Sequence, residues 1–402
     1  MTRMKDSGNP WVREIPSDWF EKKLRYLVKL RGEKSVTTDY KKYVGLENIM
    51  SQTGQYVQTG IEVDLTENLT FEVGDILFGK LIPYLMKYWR AEFSGTASSE
   101  FVIIKGSSLN LNFLFWAIQS DSFINDVDSS TYGSKMPRAS WEYMKNIKLP
   151  FPESIEEQAK IADFLDKKVA QLDSVKSLLE KQIKTLEDYR QSLIYETVTK
   201  GLDKTVPLKD SGVDWIGQIP EGWGIGRLKH FYNLFAGGDI QEENFSVEFD
   251  DKFCYPILSN SKENNGIFGY SNVYRFEEGT VTVAGRGDIG YAEYRTFKYF
   301  PIIRLLVYVP FIKTDGRFTT YWINSAVIEK NQTAVSQLTR FTLDELPFPK
   351  IDLEVQREIA DFLDKKTEQI NQMIAIKKEQ IENINKQRQT LIYDYVTGKR
   401  RV

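Results

Sequence analysis

The sequence predicts an α+β fold that arose by tandem duplication: two mixed, strand-rich globular domains separated by a long antiparallel two-helix coiled coil, with an approximate internal twofold axis. Two observations predict this fold. The octapeptide IADFLDKK occurs at Ile161 to Lys168 and returns 198 positions later, at Ile359 to Lys366. The motif LPFP shortly before it, at Leu149 to Pro152, also returns, at Leu346 to Pro349. Repeated segments at a near-constant spacing indicate repeated structural units.

A third pair of similar segments opens the two halves, because Lys5 to Trp19 resembles Lys209 to Trp223. Each half therefore has the order opening segment, variable middle, LPFP and long helix. The predicted organisation is a first domain at 1–152, a first spacer helix at 153–200, a second domain at 201–349 and a second spacer helix at 350–402.

Composition limits the function classes. The chain has 402 residues, with 53 basic and 56 acidic side chains and a net charge of -3. Nucleic-acid binders are often basic overall, so this balance counts mildly against DNA or RNA without excluding either, since the position of the charges matters more than their sum. A single cysteine, Cys254, and a single histidine, His230, argue against a disulfide framework and a zinc site. With no run of 18 apolar residues, we expect a cytoplasmic protein without a membrane partner.

In the first domain the sequence predicts short strands separated by Gly, Asn and Ser clusters, followed by a helix at 110–120. The predicted strands lie at 43–46, 61–65, 74–79 and 101–105. The segment 79–90 combines basic and aromatic side chains without an acid, a composition suited to phosphate contact and base stacking. The candidate DNA contacts here, with a second basic cluster at 133–138, are Lys80, Tyr84, Lys87, Arg90, Lys135 and Arg138. An ordinary strand edge and a polar loop explain both clusters equally well.

After LPFP the pattern changes to helix. Pro152 precedes three glutamates in the first turns, and no Gly or Pro follows until Gly201. Leucine then recurs every seventh residue, the spacing of a coiled-coil seam. The predicted seam consists of Leu165, Leu172, Leu179, Leu186 and Leu193 in the first helix and Leu363, Ile370, Ile384 and Leu391 in the second. The alternative is a pair of ordinary long helices whose leucines pack on a domain.

The middle of the second domain differs from that of the first, although it too reads as strands and turns, at 255–261, 266–270, 280–287 and 299–310. A polar loop and a group of basic residues, Arg286, Arg295, Lys298 and Arg304, provide hydrogen-bonding and phosphate-binding side chains. The candidate DNA contacts are Ser261, Lys262, Asn265, Arg286, Arg304, Gln337 and Arg340. An ordinary solvated surface is the alternative interpretation.

Connectivity predicts the arrangement of the helices. Each helix begins where its own domain ends, and the first helix ends where the second domain begins. If the start and end of each domain lie close together, as domain termini often do, the two helices run antiparallel. The same reasoning returns the C-terminal segment to the N-terminal opening segment.

Motifs for catalysis are weak. Gly285 to Gly290 fits G-x-G-x-x-G, but the residues after it are β-prone and Leu305 stands where a ribose-binding acid is expected, so a β-turn is the better interpretation. Asp163 and Asp166 are interpreted as part of a solvated helix face beside lysines. We therefore predict a binding protein and no enzyme.

The two helix starts carry a family resemblance. Glu157-Gln158 and Val355-Gln356 each precede Ile-Ala-Asp-Phe-Leu-Asp at a fixed distance after LPFP, and they resemble the helical repeats of type I restriction-modification specificity subunits. The resemblance covers essentially the whole chain. Gly74 to Tyr84 and Ser98 to Phe101, which adds Ser99 to the DNA-binding candidates, resemble one class of target-recognition domain. Segments 266–270 and 285–290 resemble another class. Val355 departs from the family's usual glutamate.

The resemblance implies a non-catalytic subunit that binds double-stranded DNA. Each domain would bind one half of a bipartite site, and the helices would set the spacing and dock the partners through their seam. The implied partners are two methyltransferase subunits, which would hold S-adenosylmethionine, and restriction subunits; no cofactor is expected in this chain. Since the two domains differ in sequence, the target should be asymmetric. The alternatives are a cytoplasmic coiled-coil scaffold with protein-binding domains, which the acidic pI favours, and a nucleotide-dependent enzyme built on Gly285 to Gly290.

Overall fold

The computed structural model describes residues 3–9, 12–36, 42–59, 67–131, 137–326, 338 and 340–402. The chain folds into two compact units. Unit 1 comprises Met1–Lys181 and Lys377–Val402, and unit 2 comprises Gln182–Ile376. Each unit therefore combines one strand-rich domain with part of both long helices.

Unit 1 contains the first domain. Its strands are β1 (Met4–Asn9), β2 (Val12–Pro16), β3 (Phe20–Lys23), β4 (Val28–Leu30), β5 (Lys34–Val36), β6 (Tyr43–Val44), β7 (Glu67–Phe71), β8 (Ile76–Gly79), β9 (Tyr88–Arg90), β10 (Gly95–Ala97), β11 (Phe101–Ser107) and β12 (Lys148–Phe151). Its helices are α1 (Leu111–Ala117), α2 (Asp121–Ser129), α3 (Trp141–Met144) and the start of α4 (Ile155–Lys200). The sheets have the orders β5-β7-β10-β6 and β4-β11-β8-β9, besides the pairs β1-β2 and β12-β3.

Unit 2 contains the second domain. Its strands are β13 (Leu208–Asp210), β14 (Gln218–Pro220), β15 (Gly224–Arg227), β16 (Tyr232–Ala236), β17 (Phe245–Ser246), β18 (Tyr255–Leu258), β19 (Ile267–Ser271), β20 (Thr280–Ala284), β21 (Ala292–Arg295), β22 (Phe300–Pro301), β23 (Leu305–Pro310) and β24 (Pro347–Lys350). Its helices are α5 (Gly316–Ser325), α6 (Arg340–Asp344) and the start of α7 (Leu353–Val396). The sheets have the orders β16-β23-β20-β21 and β17-β19-β18-β22, besides β13-β14 and β15-β24.

The α+β class and the predicted strands are confirmed where the structure describes them; the strand predicted at 61–65 lies outside the described residues. One prediction differs in detail. The run at 299–310 forms two strands, β22 and β23, because the chain turns between them and Arg304 has a φ of 69°. Left-handed backbone of this kind interrupts a strand.

The start and end of each domain lie side by side, which is the condition for an antiparallel arrangement of the helices. In unit 1, β3 pairs antiparallel with β12, with Phe20 opposite Phe151. In unit 2, β15 pairs antiparallel with β24, with Gly224 opposite Lys350. The two LPFP motifs lie in or directly beside β12 and β24, so the repeat marks the strand that closes each domain.

The long helices are slightly shorter than predicted, since α4 begins at Ile155 and α7 covers Leu353–Val396. Within unit 1 they run antiparallel, because Phe164 stacks near Tyr395 at 4.5 Å between ring centroids and Asp173 lies near Arg388. The C-terminal segment returns to the opening segment through an ion pair of 2.6 Å between Arg401 and Asp18. None of the helices that the structure describes has the length and apolar character of a membrane span.

The predicted seam packs unevenly along the helices. The buried members are Leu165, Leu363 and Ile370; the half-buried ones are Leu172, Leu179, Leu186, Leu193, Ile384 and Leu391. Leu193 and Leu391 are half-buried although they also pack on the domain cores. The seam is therefore tightest near the start of each helix.

The repeated glutamine of the helix starts joins each helix to its domain. The buried Gln158 side chain accepts a hydrogen bond from the Asn110 backbone at 2.8 Å and donates one to the Pro152 carbonyl at 2.8 Å. Gln356 repeats this arrangement with the Asp315 backbone, at 2.9 Å, and the Ile351 carbonyl, at 3.1 Å. Buried polar groups need such partners, which explains why both copies of the repeat contain glutamine.

Asp163 and Asp166 are both exposed, as expected of a solvated helix face, but one of them also bonds to the domain. Asp166 accepts a hydrogen bond from the Trp116 indole at 2.9 Å, and its counterpart Asp364 accepts one from the Tyr321 hydroxyl at 2.8 Å. Asp364 also pairs with Arg317 at 2.8 Å. These carboxylates therefore fix the domain on its helix.

Candidate nucleic-acid interface

The first candidate surface lies on the loop between β8 and β9. The Lys80 amide donates to the Glu100 carbonyl at 2.8 Å, and the Ala139 amide donates to the Lys80 carbonyl at 2.9 Å. These bonds bring the loop beside the turn that holds Ser99 and beside Arg138. We call Lys80, Tyr84, Ser99 and Arg138 the domain-1 loop surface. It is the set of predicted contacts that this domain brings together.

The side chains of this surface differ in their exposure and in their ion-pair partners. Tyr84 is 58% exposed, in a loop where Ile82 and Met86 both have a positive φ. Arg138 forms an ion pair with Glu100. Burial lowers the pKa of the Lys80 ammonium, an effect that Glu100 opposes and Arg138 reinforces. The surface therefore combines the exposed aromatic ring of Tyr84 with two basic side chains, Lys80 and Arg138, whose charges Glu100 partly neutralises.

Two other predicted contacts of the first domain, Lys87 and Arg90, are not part of this surface. The Lys87 ammonium donates to the carbonyls of Leu46, at 2.6 Å, and Ile49, at 2.9 Å, which favours a structural role over a DNA contact. Arg90 donates to the Asn112 side chain on α1. Lys135 lies outside the described residues.

In the second domain, the Asn260 side chain joins three loops. Its carbonyl oxygen accepts a hydrogen bond from the Gly285 amide at 3.1 Å, and its amide nitrogen donates to the Ile303 carbonyl at 3.2 Å. The Lys262 amide donates to the Asp288 carboxylate at 2.8 Å. This network gathers five predicted contacts, which we call the domain-2 loop surface: Ser261, Lys262, Asn265, Arg286 and Arg304.

Two cations of the domain-2 loop surface, Lys262 and Arg286, are less neutralised than Lys80 and Arg138 of the domain-1 loop surface. Lys262 and Arg286 are exposed, and neither side chain has an ion-pair or hydrogen-bond partner among the residues that the structure describes. The predicted contact Arg340 pairs with Asp344 at 3.3 Å. Gln337 lies outside the described residues. Unpaired exposed cations are available for phosphate.

Part of each surface occupies the same place in the fold. The sheets β4-β11-β8-β9 and β16-β23-β20-β21 have matching strand orders; Lys80 and Tyr84 lie on the loop after β8, and Arg286 lies on the loop after the equivalent strand β20. The second sheets differ in order, β5-β7-β10-β6 against β17-β19-β18-β22. One framework thus presents two chemically different loops. The G-x-G-x-x-G segment is the β20–β21 hairpin loop, as interpreted from its sequence, and opens no helix.

Sequence reasoning placed one residue incorrectly. Arg295 was grouped with the exposed cations, but its side chain is buried and bonded to Thr282 at 2.9 Å and to the Asn265 carbonyl at 2.9 Å. The organising role of Asn260 was also not foreseen. Turn-forming asparagines at 260, 264 and 265 were the available signal, since asparagine side chains bond readily to nearby backbone.

The comparison with known families decides the identity. The family described as type I restriction modification DNA specificity domain matches the chain twice, at residues 16–186 and 220–384. The chain belongs to this family. Each match contains one of the two loop surfaces and most of the following helix. The chain is thus a specificity subunit, a non-catalytic DNA-recognition protein with two recognition domains.

Curated relatives agree with this assignment. The chain is 27% identical over 280 residues to the putative type I specificity subunit S.MpnORF507P of Mycoplasma pneumoniae, covering 69% of this chain and 70% of that protein. It is 23% identical over 437 aligned residues to the type I restriction enzyme MjaVIII specificity subunit of Methanocaldococcus jannaschii, covering 96% and 94%. These relatives favour DNA specificity over the coiled-coil scaffold and the nucleotide-dependent enzyme.

Solved structures show the same fold. A chain from a structure described as "Structural basis underlying complex assembly and conformational transition of the type I R-M system" has a TM-score of 0.75 at 18% identity, covering 95% of this chain and 98% of that chain. The HsdS subunit from Thermoanaerobacter tengcongensis has a TM-score of 0.52 at 18% identity, covering 96% and 98%. At these identities the likeness concerns the fold.

Proposed function

We propose that this specificity subunit reads an asymmetric bipartite DNA site, one half through the domain-1 loop surface and the other through the domain-2 loop surface. The observation that carries the proposal is that the loops after the equivalent strands β8 and β20 contribute to both surfaces, Lys80 and Tyr84 in the first domain and Arg286 in the second. Because the exposed groups differ, Tyr84 with Arg138 in one and Lys262 with Arg286 in the other, the half-sites should differ in sequence.

The long helices would set the distance between the half-sites. Two features support this part of the proposal: α4 has 46 residues without interruption, and the domains are joined to the helix starts by buried glutamines and by bonded carboxylates. Because each helix is attached firmly to its domain, the length of the helix would determine where the loop surface lies. The bases between the half-sites would then form an unread spacer.

The proposed partners are methyltransferase subunits, two per chain, and restriction subunits. The methyltransferase would hold S-adenosylmethionine and carry out the chemistry. Leu391 and Leu193 of the seam pack on the cores of units 1 and 2, so docking surfaces are better sought among exposed apolar helix residues. These are Ile155, Val175 and Leu178 in unit 1 and Tyr189, Met373 and Ile376 in unit 2. Exposed apolar side chains grouped on a helix commonly mark protein interfaces.

Replacing Lys262 and Arg286 together with alanine is expected to weaken DNA binding without changing the sequence preference. Each phosphate contact releases counterions, so the slope of log Kobs against log salt should become less steep by about 2 for the loss of two contacts. Fluorescence anisotropy with a target duplex, over a salt series and with the assembled methyltransferase complex, measures the slope.

The matched control is Lys252→Ala. Lys252 is also exposed in the second domain, but it lies in the loop between β17 and β18, at the opposite end of the β18–β19 hairpin from Lys262. It should leave both the affinity and the salt slope unchanged. An unchanged slope in the double variant would show that the domain-2 loop surface does not contact phosphates, and the proposal for this surface would fail.

A further inference from the structure

The tip of the β18–β19 hairpin has an unusual backbone. Three consecutive residues are left-handed: Asn264 with φ 47°, Asn265 with φ 53° and Gly266 with φ 76°. Residues other than glycine rarely adopt this backbone conformation, and among them asparagine tolerates it best. Strained backbone of this kind persists only where surrounding contacts hold it, and it is concentrated at functional sites.

A buried arginine holds the turn. The Arg295 side chain on β21 is 3% exposed, and its Nη1 donates a hydrogen bond of 2.9 Å to the Asn265 carbonyl. Its Nε donates to the Thr282 hydroxyl at 2.9 Å, and its guanidinium lies 3.0 Å from the Glu293 carboxylate. Burial lowers the pKa of Arg295, and Glu293 opposes this effect. A buried charge costs free energy unless it is paired and hydrogen-bonded. The partners of Arg295 meet this requirement, and one of them is the backbone of the turn.

The turn has a second attachment on its other side. The Ser259 hydroxyl donates to the Gly266 carbonyl at 3.0 Å, and the Ser259 amide donates to the same oxygen at 2.7 Å. The backbone of Asn265 is thus fixed from the sheet below by Arg295 and along the hairpin by Ser259. The Asn265 side chain is therefore attached to a backbone that is held in one conformation.

The fixed turn presents one free amide. The Asn264 side chain donates back to the Ile267 carbonyl at 3.0 Å and is thereby occupied. The Asn265 side chain is exposed and has no hydrogen-bond partner among the residues that the structure describes. Lys262 lies in the same loop and Arg286 on the adjoining hairpin. A rigid, unoccupied amide between exposed cations has the properties of a base-reading group beside phosphate contacts.

We propose that Asn265 reads an adenine in the half-site of the second domain and that Arg295 is the positioning residue that holds it in place. The inference rests on the proposed function and names one reading group within it. An asparagine amide accepts from adenine N6 and donates to adenine N7 at once, a pairing that no other base offers in the major groove. Discrimination of about 5- to 150-fold against other bases follows from such a bidentate contact.

The variant Asn265→Gly tests the reading group. Glycine keeps the left-handed backbone and removes the amide, so the turn should survive. We expect the methylated motif to lose its preference for adenine at one position of one half-site, with all other positions unchanged. Sequencing of methylated bases in genomic DNA from a host expressing the variant with its methyltransferase measures this. Asn264→Gly is the matched control, because its amide is occupied within the loop, and it should leave the motif intact.

Variants of Arg295 test the positioning role. Arg295→Met should relax the same single position, while Arg295→Lys should restore part of the preference by keeping a donor near the Asn265 carbonyl. The salt dependence of binding should match that of the wild type, since Arg295 contacts no phosphate. A loss of preference at every position, with an altered salt dependence, would instead indicate general disruption of the domain and would contradict the positioning role.

The outcomes separate the inference from the proposed function. If the wild-type chain directs no sequence-specific methylation, the proposed function fails. If the wild type is specific but Asn265→Gly leaves its motif unchanged, or relaxes a position that is not adenine, only the role of Asn265 fails.

Discussion

Replacing Arg388 with methionine is expected to destabilise unit 1 by about 2–3 kcal/mol. This is slightly less than the usual cost of removing one partner of a fully buried ion pair, because the Asp173 side chain is 25% exposed. Arg388 on α7 is 5% exposed and lies 3.6 Å from the Asp173 carboxylate on α4. It donates to the Gln119 side chain at 3.3 Å and lies over the Trp116 ring. One side chain therefore joins both helices to the first domain, and its loss leaves Asp173 without its nearest counter-charge.

The repeat supplies the control for this prediction. Arg190 is the counterpart of Arg388, and it donates to Asn371, the counterpart of Asp173, in a more exposed position. Arg190→Met should therefore cost under about 1 kcal/mol. Native-state hydrogen exchange can be measured for each unit, and core amides of unit 1 should exchange about 30- to 150-fold faster in the Arg388 variant. Equal effects of the two variants would contradict the joining role of Arg388.

The destabilisation should depend on pH. Burial raises the pKa of the Asp173 and Asp121 carboxyls above the ordinary value, and Arg388 lowers it in both. A carboxyl whose folded pKa is raised costs stability once it is ionised, and it costs nothing below the pKa of the unfolded chain, where it is protonated in both states. The difference between wild type and Arg388→Met should therefore grow as pH rises above about 4 and be largest near neutral pH.

Removing one heptad from each long helix is expected to shorten the spacer of the DNA site while leaving both half-sites unchanged. Asp173 lies opposite Arg388 and Arg190 opposite Asn371, so antiparallel counting places 379–385 opposite 176–182. Deleting both segments keeps these two pairs in register. Seven residues correspond to about 10 Å of helix, or at most about 3 base pairs of DNA.

The expected change in the spacer is about one to three base pairs, because each base pair removed also rotates one half-site about the DNA axis by roughly a tenth of a turn. Methylated-base sequencing gives the spacer directly. Glu180→Ala with Glu382→Ala, which alters the same segments at constant length, should leave the spacer unchanged. If the shortened protein retains both half-sites at the original spacing, the helices do not set the distance.

The sequence predicted the parts of the fold that the repeat encodes. IADFLDKK, LPFP and the heptad leucines predicted the two helices and their antiparallel pairing within unit 1, because these features depend on local periodicity and on connectivity. The return of the C-terminal segment to Asp18 followed from the same connectivity. Leu165 and Leu363 are buried, as expected of the seam.

Contacts between residues distant in sequence could not be predicted. Lys87 resembles a phosphate contact in its segment, but it is bonded to carbonyls about 40 positions earlier in the chain. Arg295 appeared as one of several exposed cations, yet it lies beneath a turn 30 positions away. Charge and residue type can be read from a sequence, whereas burial and the identity of a partner depend on strand order, which the variable middle of each domain does not reveal.

The central claim, that each domain reads one half of the site, can be tested by placing the first domain in both positions. Residues 224–350 would be replaced by 20–151, at strand pairs where the domain ends lie side by side. Gln356 and Asp364 match Gln158 and Asp166, so α7 offers the grafted domain the same bonds. Methylated-base sequencing should show a palindromic site built from two copies of one wild-type half-site. A motif that keeps both original halves would contradict the claim.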